Sequence, residues 1–244
     1  MLRFADAVVT VSDADKSTME SFCRKIGKHK EFQVIRNGYD EQIMSEMLQS
    51  YSPSNSGKYI ITYAGSFYDC ERDPSALIAA LNKIVDSGLV GVENVEFNIY
   101  GHPEACLVEM VSRLDPKEIV RFKGMVGRDE VYKAMLDSHQ LVAITRRSEL
   151  ARGEMTTKVY EYVGSKRSVI CLSPPGFEMQ STLEGVMGVQ CLDVDATDEI
   201  EKYLHNDIKC WWASLDKSPS VYDRDEIFSR KQSALKMMEF LKCL

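Results

Sequence analysis

"GEMTTKVYEYVGSKRSVICL", residues 153–172, sets a short helix-like run against a strand-like one. The second part, Ser168 to Leu172, is apolar nearly throughout instead of alternating. That is the pattern of a strand buried on both faces of a parallel sheet. The first part opens on Thr156-Thr157-Lys158 and carries Glu161 one turn in, beside Tyr160 and Tyr162. At helical spacing Lys158, Glu161, Tyr162 and Ser165 share one face, while Val159 and Val163 point elsewhere. Two readings follow. One is a solvated Lys/Glu pair on an ordinary amphipathic helix, contributing about 0.2–0.5 kcal/mol. The other is a ligand site, with an ammonium at the diphosphate end and a carboxylate one turn deeper to accept from a ribose diol.

Outward from this stretch the same alternation fills the chain. Strand-like runs occur at 7–12, 32–37, 59–64, 95–101, 119–124, 141–145, 168–173 and 188–193, with helix-like stretches between them. "DPSALIAALNKIVDSG" opens on Asp-Pro and ends on Gly, and its Leu77, Ile78, Leu81 and Ile84 fall at helical spacing. The βαβα rhythm predicts an α/β fold: a Rossmann-like, mostly parallel sheet with helices on both faces. The polar break at 47–58 reads as a surface loop or a link. A long amphipathic helix is expected from about Asp225, with Leu235, Met238, Phe240 and Leu241 as its core contacts.

The 244 residues are 44% hydrophobic, enough for one large domain or one domain plus a fragment. A net charge of −7 argues against nucleic-acid binding through a general basic field, so any anion must be held by a local group of donors. No apolar run is long enough for a transmembrane helix, and the amino terminus has no signal-peptide pattern. The seven cysteines include no CxxC pair and are expected to be free thiols in a reducing compartment. The four histidines show no metal spacing. The expectation is a cytoplasmic protein without a metal.

In open parallel sheets, ligands bind outside the carboxyl ends of the strands. After the run at 59–64 comes "GSFYDCERDPS", in which Gly65 permits close backbone approach, Ser66 offers a hydroxyl and Arg72 a fixed charge. It lacks GxGxxG and GxxxxGK[ST], which lowers the standing of a dehydrogenase or a P-loop NTPase, and by itself it also reads as an ordinary loop. After the run at 141–145 comes "RRSELARGEMTTK", the densest mid-chain cluster of charge, leading into a helix start that favours anions. Arg146, Arg147 and Arg152 there read as a solvated rim or as extra charge for the site. The amides of 173–184 read either as a further donor contact or as a plain turn. Trp211-Trp212 read as a sugar platform or, better, as residues packing the C-terminal segment.

The stretch "TTKVYEYVGS" resembles the "(S/T)K-(L/V)-(Y/F)-E-Y-(L/I/V)" segment of the group 1 glycosyltransferases, retaining enzymes of the two-domain GT-B fold. "FADAVVTVSDADKSTM" is similar to that family's crossover region, and "FQVIRNGYD" to its "vIpNGvD". "YIITYAGSFYDCERDPSALIAAL", "VEFNIYGHPE", "IVRFKGMVGRDEVYKAMLDSHQLVAIT" and "TTKVYEYVGSKRSVICLSPPG" follow in the family's order.

The resemblance implies the C-terminal half of a GT-B fold. Residues 1–50 would be a crossover segment from an acceptor domain, 51–220 the nucleotide-sugar-binding domain and 221–244 a C-terminal helix. It implies hexosyl-type transfer with retention, from a nucleotide-diphosphate sugar to a glycan or lipid-linked acceptor, as in polysaccharide assembly. Lys158 and Arg72 would stabilise the leaving diphosphate, with no metal or other cofactor. Gly65, Ser66, Glu154 and Thr157 would line the donor site, Met125 and Val126 would lie against the nucleobase, and Glu161 would take the ribose hydroxyls. The isolated chain would turn over poorly without the acceptor domain and would tend to self-associate. Within a larger protein it would sit in the cytoplasm or at the inner membrane face. Two departures stand out. The family's Glu-x7-Glu would put its first glutamate at Gly153, one place from Glu154, and the arginine common after the first loop's glycine is Ser66. The alternatives are a GT-B sugar-nucleotide epimerase and a non-catalytic scaffold of the same fold.

Overall fold

The computed structural model describes residues 2, 4–52, 54, 56–224 and 227–243. All eight strand-like runs form strands: β1 (Ala7–Thr10), β2 (Glu31–Val34), β3 (Tyr59–Ala64), β4 (Val95–Tyr100), β5 (Val120–Gly124), β6 (Gln140–Ile144), β7 (Ser168–Leu172) and β8 (Val189–Leu192). The helices are α1 (Asp13–Lys25), α2 (Glu41–Ser50), α3 (Ser75–Asp86), α4 (Ala105–Leu114), α5 (Arg128–Asp137), α6 (Thr157–Gly164), α7 (Glu178–Leu183), α8 (Thr197–Ala213) and α9 (Arg230–Lys242). The break expected at 47–58 is shorter than the sequence suggests, because α2 runs on to Ser50.

The main sheet is six-stranded and parallel, in the order β5-β4-β3-β6-β7-β8. Its central strands alternate between two cores, which is why they read as apolar throughout. On one face Ile61, Val142, Ile144, Ile170 and Leu172 meet Leu77, Leu81 and Ile84 of α3, Leu107 of α4 and Ile200, Leu204 and Ile208 of α8. On the other, Leu141, Ala143, Val169 and Cys171 meet Met135 of α5, Val159, Tyr160, Tyr162 and Val163 of α6, and Met179 of α7. This is the Rossmann-like arrangement that the alternation predicts. α3 starts where Asp-Pro placed it, with the Asp73 carboxylate accepting from the Ser75 N–H at 2.8 Å.

β1 and β2 form a separate two-stranded parallel sheet. It is fastened to the rest by the buried Glu178, whose carboxylate accepts from the N–H groups of Asp13 and Ala14 at the start of α1 and from Arg36 at 2.6 Å. A parallel bridge between Tyr39 and Ser229 ties the segment after β2 to the start of α9.

Two expectations are corrected. Cys70 and Cys106 form a disulfide, their Cα atoms 6.3 Å apart, so not all seven cysteines are free. β3 and β4 are neighbouring parallel strands, and the bridge joins the loop after β3 to the helix after β4. A separation of 36 residues carries no local signal for that. The C-terminal helix starts at Arg230, and Asp225 lies outside the described residues. Of its four expected core contacts only Phe240 is buried, while Leu235, Met238 and Leu241 face solvent because little of the chain packs over them. Trp211 is buried and its indole N–H donates to the Lys217 carbonyl, so the tryptophan pair holds the 214–221 segment.

Candidate functional site

β3 and β6 are neighbours, and from them the chain proceeds outward in opposite directions, to β4 and β5 on one side and β7 and β8 on the other. The loops leaving their carboxyl ends therefore part and leave a crevice, the topological switch point of an open α/β sheet. A cavity of about 350 Å³ lies there. Gly65, Ser66, Arg72, Met125, Val126, Glu154, Thr157 and Lys158 all line it, although they come from three segments spread over 94 positions.

α6 is placed by Tyr162. The tyrosine is fully buried, and its hydroxyl accepts from the Ala64 N–H at 2.9 Å, clamping the helix to the last residue of β3. Lys158, one turn earlier, is thereby held against Gly65. A Cβ at Gly65 would stand 3.5 Å from Lys158 Cε and 3.2 Å from Tyr63 Oη, so glycine leaves the lysine its path. Gly101, which lines the same cavity, backs directly onto the Gly65 carbonyl.

The Lys158 ammonium has no ion pair or hydrogen bond among the described residues. Burial lowers its pKa, only partly opposed by Glu161, and the charge of Arg72 lowers it further. Thr156 makes no side-chain cap bond, so the first N–H groups of α6 are not capped by it. The nearly buried Arg72 donates to the Ser66 carbonyl at 3.3 Å and pairs with Glu154, whose second oxygen takes Arg146 Nε at 2.8 Å. Burial works against the Arg72 charge, but Tyr63 and Glu154 outweigh it and hold the pKa above the usual arginine value. The Arg72 guanidinium thus lies beside Ser66, where the resembling family carries its arginine. Its Nε is buried without a hydrogen-bond partner among the described residues.

Glu161 does not line the cavity. It lies one turn along α6 from Lys158, and its Oε1 accepts from the Tyr132 hydroxyl at 3.0 Å, which in turn accepts from Arg128. One carboxylate oxygen is therefore already engaged. Both Tyr160 and Tyr162 are buried, so neither flanks the cavity as an exposed ring. Arg147 pairs with Asp73 and Asp195, and Arg152 with Glu149, so these two belong to a paired rim. The amides after β7 are occupied: Gly176 N–H goes to Gln180, Phe177 N–H to Pro174 and Glu178 N–H to Arg152. They do not line the cavity.

The sequence reading missed Tyr68, Tyr100, Gly101 and Val131, which line the cavity, and Tyr132, which holds Glu161. Gly101 was within reach, as a glycine immediately after β4. Tyr132 was not, since no spacing rule links it to a carboxylate 29 residues on.

No protein-family model matches the sequence, and no curated protein sequence matches it significantly. Solved structures do match in fold. One is the HepE protein of Anabaena in complex with UDP and glucose: TM-score 0.68 at 15% identity, covering 99% of this chain and 64% of that one. A UDP-forming alpha,alpha-trehalose-phosphate synthase from Burkholderia xenovorans, in complex with glucose-6-phosphate, gives TM-score 0.68 at 9%, covering 97% and 60%. A glycosyltransferase from Rickettsia africae gives 0.62 at 14%, covering 97% and 63%. These neighbours are GT-B glycosyltransferases, and the chain has their fold. It spans less than two thirds of their length. At such identities the likeness defines a fold and not an activity.

Proposed function

We propose that the cavity between β3 and β6 binds the diphosphate of a nucleotide sugar, and that the chain is the donor-binding part of a glycosyltransferase. The observation that carries this reading is Lys158: a partly desolvated ammonium with no ion pair or hydrogen bond among the described residues, at a helix start that Thr156 does not cap, facing a cavity that also holds Arg72. A desolvated charge is costly unless an opposite one meets it, and a diphosphate supplies that charge. When the bond between sugar and diphosphate breaks, negative charge grows on the leaving oxygens. Lys158, Arg72 and the first amides of α6 are placed to stabilise it. That chemistry needs no metal ion or cofactor. Met125 and Val126, on the loop between β5 and α5, supply the wall for the base, and Glu161, one turn of α6 beyond the cavity lining, offers its second oxygen to a ribose hydroxyl that reaches past it.

A hexosyl group passes with retention to a glycan or lipid-linked acceptor held by a partner domain across the cleft. Residues 1–50 and 221–244 connect to that domain, and 51–220 carry the donor. Leu235, Met238 and Leu241, exposed at spacings of three along α9, give it an apolar contact, and in its absence favour self-association.

The test is thermal unfolding of the chain with UDP, GDP, ADP and their sugar conjugates, in wild type and Lys158→Ala. A ligand at about 100 times its Kd adds roughly 2.7 kcal/mol. Stabilisation by one diphosphate, lost in the variant, is expected. Equal stabilisation in both proteins would remove Lys158 from the site, and no response to any diphosphate would remove the donor reading from this chain.

A further inference from the structure

The loop after β3 bears Ser66, Tyr68 and Arg72 into the cavity, and its backbone is unusual. Tyr68, Asp69 and Cys70 are three consecutive non-glycine residues with positive φ, at 52°, 52° and 62°. Such a run persists only where the surroundings over-determine it. Two clamps do so here, both from the start of α4. The Glu104 carboxylate accepts from the N–H groups of Phe67 at 2.7 Å, Tyr68 at 3.0 Å and Asp69 at 2.6 Å. Two residues further on, Cys106 is bonded to Cys70, the last of the three. The Tyr68 ring, carried by that run, lies 4.6 Å from the Arg72 guanidinium and 5.7 Å from that of Arg146. Cys70 and Cys106 are both partly exposed, so a small thiol can reach them.

We propose that the Cys70–Cys106 pair is a redox latch on the wall of the cavity. The disulfide holds the left-handed run that seats Tyr68 over Arg72, and its reduction lets the loop relax and weakens the hold on an anionic ligand. The reductant is a dithiol. One of its thiolates attacks a latch sulfur, forming a mixed disulfide and expelling the other cysteine as a thiolate, which takes up a proton. The second thiol of the reductant then displaces the remaining cysteine. Two electrons and two protons pass to the protein, which ends with two thiols, and the reductant ends as a disulfide. Glu104 remains as the weaker clamp, so the loop loosens without the domain unfolding.

The affinity part of this inference rests on the donor-site reading, while the loop part does not. The experiment therefore reads both on the purified chain, oxidised with glutathione disulfide or reduced with dithiothreitol. Accessible thiols in denaturant should number five in the oxidised form and two more after reduction. Amide hydrogen exchange at 67–70 should quicken on reduction. Affinity for the nucleoside diphosphate that stabilises the protein should fall by about fivefold or more, the lower end of ordinary coupling between sites. Cys106→Ser, on the first turn of α4, should behave as the reduced protein in both states, and Cys70→Ser should match it. Seven thiols in the oxidised protein, or exchange at 67–70 indifferent to reduction, would overturn the latch. Diphosphate binding that is equal in the two states would also overturn it. Faster exchange on reduction with no diphosphate binding in either state would uphold the latch and fell the donor site.

Discussion

At the scale of single residues the proposed donor site turns on one proton. The Lys158 pKa is lowered from the ordinary 10.5, chiefly by burial. A bound diphosphate would raise it again, so ligand and proton support each other. Affinity should then be full at pH below the lowered pKa of the free protein and fall as pH rises through it, earlier than an ordinary lysine would allow. Lys158→Arg keeps its charge over that range. Calorimetric titration of a nucleoside diphosphate from neutral pH upward should show affinity falling in wild type relative to the variant. Because the ligand's own ionisation is common to both, parallel curves would remove Lys158 from the binding step. Glu154 is the counterweight: it partners Arg72 and Arg146, so the anion proposed for this site would compete with a carboxylate already there.

At the scale of elements, the close approach of two loops sets the cavity wall. Gly101 has φ 141°, a conformation that disfavours any side chain, and a Cβ there would collide with the carbonyl of Gly65. Gly101→Ala should therefore cost about 1–3 kcal/mol, as overpacking against unyielding backbone does. It should also shift the Gly65 turn enough to weaken diphosphate binding. Urea unfolding, together with the thermal response to ligand, checks both, and an unchanged midpoint would show that the two loops are free to part. The elements themselves were legible in the sequence. Each strand fell within one of the eight strand-like runs, and the central ones read as apolar throughout because strands such as β6 and β7 feed a core on each face. Lys158 and Glu154 were legible too, as charges at a helix start following a strand. What local pattern could not carry was contact between distant loops: the Cys70–Cys106 bridge, the Tyr162 clamp on Ala64 and the Tyr132 bond to Glu161. Each depends on strand order, which hydrophobic period does not encode. The exposed side of α9 was misread for a related reason, since helical spacing says which residues share a face and not whether anything covers it.

At the scale of the whole molecule, the β1–α1–β2 unit is fastened by Glu178, alongside the Tyr39–Ser229 bridge and the Ser233 hydroxyl bond to the Arg36 carbonyl. Its carboxylate is buried, with 6% side-chain exposure, while Arg36 keeps 26% and a second partner in Asp13. Glu178→Ala strands a charge and two helix-start amides. Breaking a buried pair typically costs about 3–5 kcal/mol, and the partial hydration of Arg36 places this one at the lower end. Urea unfolding should register that loss, with β1, α1 and β2 exchanging their amide hydrogens well before the six-stranded sheet. Uniform exchange across both sheets would mean that Glu178 is not the fastening. No helix among the described residues is long and apolar enough to cross a membrane.

The two-stranded sheet has a practical consequence for anyone who concentrates this protein. Among the described residues, neither β1 nor β2 has a strand on its outer side, and each leaves there the row of backbone groups that an edge strand presents. Such rows template edge-to-edge aggregation, and a lysine on the strand is the usual protection. Val9, mid-strand in β1 and partly exposed, is the place for it. Val9→Lys should delay the rise in light scattering on concentration while leaving the response to nucleoside diphosphate untouched, which would make it the form of choice for crystallisation.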